Sequence, residues 1–143
     1  MKPPRIHGVP VHPVLVHFPV AGWTAATLLT LLALAEGNAT LALIARWCNI
    51  AGLVTGIAAM AAGFLELAGL PEAPEIRGAV ARHLLLAGSA WTVYLVMLFL
   101  QLKGFSTAAG LAGATGFALL VFAGHAGARL VYHHGLPKRN SPA

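Results

Sequence analysis

The chain has 143 residues, of which 58% are hydrophobic and 9% are charged, and its mean hydropathy is +0.78. A soluble domain of this size needs far more polar surface around its core, so the composition excludes an ordinary soluble protein and indicates one integral membrane domain. The formal net charge is +5, and the basic residues are dispersed around the apolar segments. This distribution is typical of membrane orientation and argues against nucleic acid as a partner.

Four apolar segments are each long enough to cross a bilayer, whose hydrocarbon core is about 30 Å thick. Their approximate limits are residues 13–35, 46–69, 83–102 and 106–130. The connections between them predict an all-α, up-down-up-down four-helix bundle in the membrane, with residues 1–143 as a single domain.

Local residue types predict how these helices begin, end and bend. Pro19 lies inside the first segment and should kink it, because proline has no N–H for the carbonyl group of Leu15. The Glu-Gly-Asn sequence at 36–38 should end the first helix and cap the second. Pro74 suits a first helical turn, so the third helix should begin before its apolar part. The Pro-rich segment 1–11 is expected to lack regular structure.

Lysine and arginine are divided unevenly between the two ends of the predicted bundle. Seven of them fall at the end that holds the termini and the connection between the second and third helices: Lys2, Arg5, Arg77, Arg82, Arg129, Lys138 and Arg139. Only Arg46 and Lys103 fall at the opposite end. Basic residues accumulate on the cytoplasmic side of membrane proteins, so both termini are predicted to lie in the cytoplasm.

Each predicted helix carries a titratable side chain near the end assigned to the cytoplasm. These residues are His17, Glu66, His83 and His125. Ionisable groups are costly inside a membrane and usually mark a functional site. In antiparallel helices the four groups should lie within roughly one helical turn of a common depth. The sequence therefore predicts one buried layer of possible ligands near the cytosol.

One interpretation of this layer is a site for haem b. Two imidazoles from facing helices would ligate the iron, with His17, His83 and His125 as the candidates. Arg82, Arg129 or Tyr132 would meet the haem propionates. His12 lies five residues before His17, so on a regular helix the two side chains point about 140° apart. His12 is therefore a lower-ranked candidate ligand than the other three histidines.

Two other interpretations use the same side chains. His17, Glu66, His83 and His125 could ligate a single Zn, Fe or Cu ion, for metal binding or transport. Alternatively, the histidines bond backbone carbonyl groups and the protein is a structural membrane subunit. The chain contains no Gly-rich phosphate loop, Cys-x-x-Cys pair or H-E-x-x-H helix, so no catalytic residue is assigned.

Three motifs resemble a known family. They are H-P-V-L-V-H-F-P at 12–19, the lone His83, and G-H-A-G-A-R-L-V-Y at 124–132 followed by His134-Gly135. They resemble the small prokaryotic four-helix membrane proteins catalogued as domain of unknown function 2231, over essentially the whole chain. The resemblance implies the fold and a multi-pass location in a bacterial or archaeal cytoplasmic membrane, but no particular activity. Histidines at helix ends are also similar to those of diheme membrane cytochromes b, although this chain has none near the outer face for a second haem.

These observations together predict a b-type haem protein that transfers single electrons, with its haem near the cytoplasmic leaflet. Glu66 and Arg129 are expected to tune the site by charge and hydrogen bonding. The expected partners are the lipid bilayer, a redox protein or a quinone, and a further copy of the chain in a homo-oligomer.

Overall fold

The computed structural model describes residues 5–67, 70, 73–104 and 106–136. Within this part of the chain, four helices are long and apolar enough to cross a membrane: Val11–Glu36, Ala39–Leu67, Pro74–Leu102 and Ser106–Tyr132. The predicted all-α membrane fold is thereby confirmed. Because the first of these helices is interrupted, the elements are numbered α1 (Val11–Leu15), α2 (His17–Glu36), α3 (Ala39–Leu67), α4 (Pro74–Leu102) and α5 (Ser106–Tyr132).

The interruption of the first membrane span lies at Val16, between α1 and α2. Pro19 cannot donate a hydrogen bond to Leu15, so the regular helical pattern is lost one turn before the proline. Backbone bonds continue across the break, from Val16 N to His12 O and from Val20 N to Val16 O, both 3.1 Å long. The disturbance predicted from Pro19 therefore falls in the turn that carries His12.

The expectation that the segment before the first helix lacks regular structure is wrong for the described residues. Arg5–Ile6 (β1) and Val9–Pro10 (β2) pair as a short antiparallel hairpin. His7 and Gly8 form its turn with φ angles of 48° and 82°. Two positive φ angles in a two-residue loop are the conformation that matches the twist of paired strands, and glycine adopts it readily.

The helix ends predicted from Gly37, Asn38 and Pro74 are confirmed. Gly37 follows α2 in the left-handed conformation, with φ 62°. The side-chain oxygen of Asn38 accepts hydrogen bonds from the backbone N–H groups of Thr40 and Leu41, at 3.0 and 3.2 Å. This is a helix cap on α3. Helix α4 begins at Pro74, well before its apolar part, as the proline predicts.

The centre of the bundle is built around two stacked aromatic rings. Trp23 of α2 and Tyr94 of α4 lie 4.8 Å apart with their planes within 2° of parallel. Glycines on the neighbouring helices make room for them. A Cβ atom on Gly52 would lie 2.6 Å from the Trp23 ring, and one on Gly116 would lie 2.9 Å from the Tyr94 ring. The thin glycine faces of α3 and α5 therefore accommodate aromatic side chains.

The four spans are arranged as two helical hairpins. Helix α2 packs mainly on α3, and α4 packs mainly on α5, whereas α3 and α4 touch each other much less. The first turn of α1 contacts the last part of α3, and the first part of α4 contacts the last part of α5. Side chains from all four spans therefore come close together at one end of the bundle.

The outer faces of the spans carry large apolar side chains. Leu28, Val54, Leu85 and Phe122 are each more than half exposed. Such faces are unfavourable in water and suit contact with lipid. The protein is therefore a multi-pass membrane protein whose helices contact the bilayer.

Candidate cofactor site

Two histidines from different hairpins face each other near one end of the bundle. The ring centres of His12 and His83 are 6.4 Å apart, and the ring planes are 84° from parallel. By comparison, the rings of His133 and His134 meet edge to face at 4.8 Å and 85°. The His12 and His83 rings are thus also arranged edge to face, at a longer separation of their centres.

Both rings are anchored in the same way. The Nδ1 atom of His12 lies 2.7 Å from the carbonyl oxygen of Ala59, and Nδ1 of His83 lies 3.0 Å from the carbonyl oxygen of Ala123. A carbonyl oxygen only accepts, so Nδ1 carries the proton and donates in each pair. In a neutral imidazole the lone pair is then on Nε2. Metal-ligating histidines are commonly held in this way, through an N–H bond to a carbonyl group.

Each ring also lies against a glycine. A Cβ atom on Gly63 would be 3.0 Å from Nδ1 of His12, and one on Gly127 would be 3.2 Å from Cε1 of His83. Both distances are shorter than ordinary contacts of a Cβ atom. An alanine at either position would press on the imidazole. The carbonyl group and the glycine together set the position of each ring.

The two hairpins repeat the same pattern. His12 and Trp23 are eleven residues apart, and so are His83 and Tyr94. In the partner helices, Ala59-x-x-Ala62-Gly63 in α3 corresponds to Ala123-x-x-Ala126-Gly127 in α5. The contacts correspond as well, since Trp23 and Tyr94 each lie against a glycine of the partner helix. The chain therefore contains two similar helical hairpins that contribute one histidine each.

Glu66, a predicted metal ligand, has a different contact. Its Oε1 atom accepts a hydrogen bond of 3.1 Å from the backbone N–H of His12. His12 lies in the first turn of α1, where backbone N–H groups have no helical partner. A negative charge is favourable at that position. Glu66 therefore caps α1 from a neighbouring helix and fixes the backbone that carries the His12 ring.

The structure separates His17 and His125 from His83, so the predicted single layer does not form within the chain. Both residues are exposed, and Nδ1 of His17 donates to the carbonyl oxygen of Val14 in the preceding turn, at 3.2 Å. The reason is rotation about the helix axis. His17 follows the inward-facing His12 by about 140°, and His125 follows Ala123 by roughly 200°. The side chains predicted at one depth in the membrane therefore point in different directions from their helices.

Two of the three predicted propionate contacts lie together. Arg82 and Arg129 line a cavity of about 360 Å³ between α4 and α5, together with Glu75 and His134. Arg82 directly precedes His83 in the chain, but neither His83 nor His12 lines this cavity. Tyr132 does not line it and is 88% exposed.

The His12–His83 pair offers two nitrogen donors. Among the described residues, no three His, Cys, Asp or Glu side chains gather closely enough to hold a metal ion. A zinc site usually takes three or four protein ligands, whereas haem iron can be held by two axial side chains. Two imidazoles with their Nδ1 atoms already bonded fit the second requirement.

These features define a small multi-pass membrane protein with one histidine from each of two similar helical hairpins. The chain belongs to the family described as "Predicted membrane protein (DUF2231)", whose model matches residues 8–140. The family predicted from the sequence motifs is thereby confirmed. No curated protein and no solved structure matches the chain.

Proposed function

We propose that this protein binds one haem b between its two helical hairpins and carries single electrons in the membrane. The observation that supports this most strongly is the His12–His83 pair. The proposed axial ligands are His12 and His83, whereas the sequence alone favoured His17, His83 and His125. A bound haem b supplies a one-electron iron couple, and the protein supplies its ligands, position and electrostatic surroundings.

The separation of the pair fits axial ligation. Two imidazoles bonded through Nε2 at roughly 2.0–2.1 Å to opposite sides of one metal ion have ring centres about 6.3 Å apart. In a tetrahedral site the same bonds give about 5 Å. The ring centres of His12 and His83 are 6.4 Å apart, close to the first value. Edge-to-face ring pairs without a ligand have the same separation, so the proposal rests on the matching Nδ1–carbonyl bonds of the two histidines as well as on this distance.

The repeated hairpins support a cofactor shared between them. Each hairpin supplies one histidine, one carbonyl group that accepts from its Nδ1 atom, and one glycine beside the ring. The sparse contact between α3 and α4 lies along the boundary between the hairpins. A flat ligand with two equivalent faces suits a site made from two equivalent halves.

Charge near the pair suits an anionic cofactor. Arg82, the residue before His83 in the chain, and Arg129 line one cavity, and guanidinium groups bind carboxylates well because their N–H groups match the two carboxylate oxygens. We assign these two residues to the haem propionates. Glu75 in the same cavity offsets part of the positive charge.

The proposed location is a prokaryotic cytoplasmic membrane, with the histidine pair near the cytosol. This rests on the count made from the sequence, seven lysines and arginines against two; Lys2, Lys138 and Arg139 of the seven lie outside the described residues. The electron partner would then be a redox protein or a quinone, and a homo-oligomer is compatible with the exposed apolar faces.

The experiment is to purify the whole protein from cells supplied with haem precursor, and to record its absorption spectrum and its metal content. The expected result is a Soret band, sharp bands on reduction, and about one haem per chain as pyridine haemochrome. Stoichiometric metal without haem would instead support a bare-metal site, with further ligands from outside the described residues. Protein without haem or metal would support a structural role and contradict the proposal. The variant carrying both His12→Ala and His83→Ala is the matched control.

A further inference from the structure

The end of the bundle opposite the histidine pair contains a second cavity, of about 370 Å³. It forms where the turn between α2 and α3 meets the turn between α4 and α5. Its polar lining residues are Thr30, Asn38, Arg46, Gln101 and Ser106. The proposed electron carrier does not use this cavity, and a ligand bound here would not require haem.

Arg46 gives the cavity a positive charge. One terminal nitrogen of its guanidinium group donates to the backbone carbonyl of Gln101 at 3.0 Å. Its Nε atom is buried and has no acceptor within the described residues. No carboxylate occurs among the described residues that line the cavity. Arginine stays charged at any pH in a protein, and a buried donor without an acceptor is unfavourable.

The side-chain oxygens of Gln101 and Asn38 on the cavity lining already accept hydrogen bonds, and Asn49 Oδ1, which is buried without a donor among the described residues, does not line the cavity. The Gln101 side-chain oxygen accepts from Asn49, and the Gln101 amide nitrogen donates to Thr30 Oγ1, each at 3.2 Å. The side-chain oxygen of Asn38 accepts from two backbone N–H groups of α3. On the cavity lining, the donors without an acceptor among the described residues are the Nε–H of Arg46, the hydroxyl hydrogen of Thr30 and the amide N–H₂ of Asn38.

A cavity with one cation, several unused donors and no unpaired carboxylate selects an oxyanion. We propose that it binds a phosphate group, either of a lipid headgroup or of free phosphate. Phosphate offers acceptor oxygens in several directions, and the planar guanidinium group binds it well. The ends of membrane-spanning helices also lie at headgroup depth, where lipid phosphate is the most abundant anion.

The test uses the purified whole protein in neutral detergent and measures its thermal unfolding midpoint. One arm compares sodium phosphate with sodium chloride at equal ionic strength. The other compares phosphatidic acid with diacylglycerol of the same acyl chains, which differs by the phosphate alone. Because a ligand that binds only the folded state raises its stability, each phosphate source that the site accepts should raise the midpoint by several degrees.

Two variants locate the effect. Arg46→Gln should abolish the stabilisation by phosphate. Lys103→Gln removes a cation from the same end of the bundle, but Lys103 is exposed, lies over the Phe99 ring and does not line the cavity. It should respond as the wild-type protein does.

The two arms separate the possible sources. A response to phosphatidic acid alone assigns the site to lipid, and a response to inorganic phosphate assigns it to the free anion. Equal midpoints with and without phosphate in both arms would overturn the proposal, as would a full response in Arg46→Gln. A wild-type protein stabilised by a neutral quinone but by neither phosphate source would also overturn it.

A second measurement on the wild-type protein tests the site if the Arg46→Gln variant does not fold. Phenylglyoxal modifies arginine side chains, and the modified peptides of the wild-type protein can be quantified by mass spectrometry. Phosphate or phosphatidic acid should slow modification of Arg46 several-fold, while modification of Arg5, in the hairpin at the other end, should be unchanged. Equal rates at Arg46 with and without phosphate would contradict the site.

Discussion

His83 and Gly127 are so close that a Cβ atom on the glycine would lie 3.2 Å from Cε1 and 3.3 Å from Nδ1 of the imidazole. Gly127→Ala should therefore displace the His83 ring and strain its bond to Ala123. Groups that orient a metal ligand typically contribute 10–100-fold to affinity, so we expect haem affinity to fall at least about 10-fold. Haem titration of the apoprotein measures this.

Gly124→Ala is the matched control on the same helix, because nothing lies within 4 Å of a Cβ atom at that position. It should bind haem as tightly as the wild-type protein. If the two alanine variants bind haem equally well, the contact between Gly127 and His83 does not position the ring.

Glu66 should act through the backbone of His12. Glu66→Ala leaves the His12 N–H without its acceptor, and loss of a helix cap costs about 0.5–2 kcal/mol of unfolding free energy. Glu66→Gln keeps an acceptor oxygen and should retain most of the stability and the haem content. Denaturant unfolding and haem stoichiometry measure the two effects. If Glu66→Ala and Glu66→Gln have equal unfolding free energies and equal haem stoichiometries, the hydrogen bond to His12 does not support the site.

The Trp23–Tyr94 stack should dominate the stability of the bundle. Tyr94→Ala removes a fully buried ring and should cost about 3–5 kcal/mol. Tyr94→Phe keeps the stack and loses only the 3.0 Å hydrogen bond to Thr27, which should cost about 0.5–1.5 kcal/mol. Unfolding in mixed detergent measures both. Tyr132→Phe, at an exposed position, should leave the free energy of unfolding unchanged. If it lowered that free energy as much as Tyr94→Phe does, the buried hydrogen bond of Tyr94 would not be what stabilises the bundle.

Arg82 and Arg129 should raise the reduction midpoint of the bound haem. Reduction adds a negative charge, which a nearby guanidinium group stabilises, so removing the arginine lowers the midpoint. For Arg82→Gln or Arg129→Gln we expect a decrease on the order of tens of millivolts in a spectroelectrochemical titration. Lys103→Gln, at the other end of the bundle, should leave the midpoint unchanged. An unchanged or raised midpoint in both arginine variants would remove them from the site.

Much of the fold follows from local sequence. Bilayer-length apolar segments, the left-handed Gly37, the Asn38 cap and the first-turn Pro74 each depend on nearby residues, and all were predictable. The β-hairpin before α1 was missed because the Pro-rich composition hid a short turn, His7-Gly8, between two-residue strands.

The proposed site differs from the sequence prediction in its residues, because His12 stands beside His83 in place of His17 and His125. Membrane depth follows from position along the chain, but the direction of a side chain depends on the phase of its helix. His12 lies seven and eleven residues before Pro19 and Trp23, which are both buried, so that stripe identifies it as inward-facing. The break at Val16 and the contact with Glu66, 54 residues away, are tertiary features.

The repeat of the two hairpins was also present in the sequence. The equal spacing of His12 with Trp23 and of His83 with Tyr94 relates one polar residue to one aromatic residue in each half. A comparison of amino-acid identity does not reveal this repeat, because the aromatic residues Trp23 and Tyr94 differ and the surrounding apolar residues can replace one another. The contacts with corresponding glycines are what make the relationship evident.

The most direct test of the account compares four single variants, His12→Ala, His83→Ala, His17→Ala and His125→Ala, by haem content and by electron paramagnetic resonance of the oxidised protein. The wild-type protein should contain low-spin ferric haem with two imidazole ligands. His12→Ala and His83→Ala should each lose that signal, and His17→Ala and His125→Ala should keep it, because their side chains lie outside the site. A low-spin signal that survives loss of His12 or His83, or that disappears only with His17 or His125, would contradict the account.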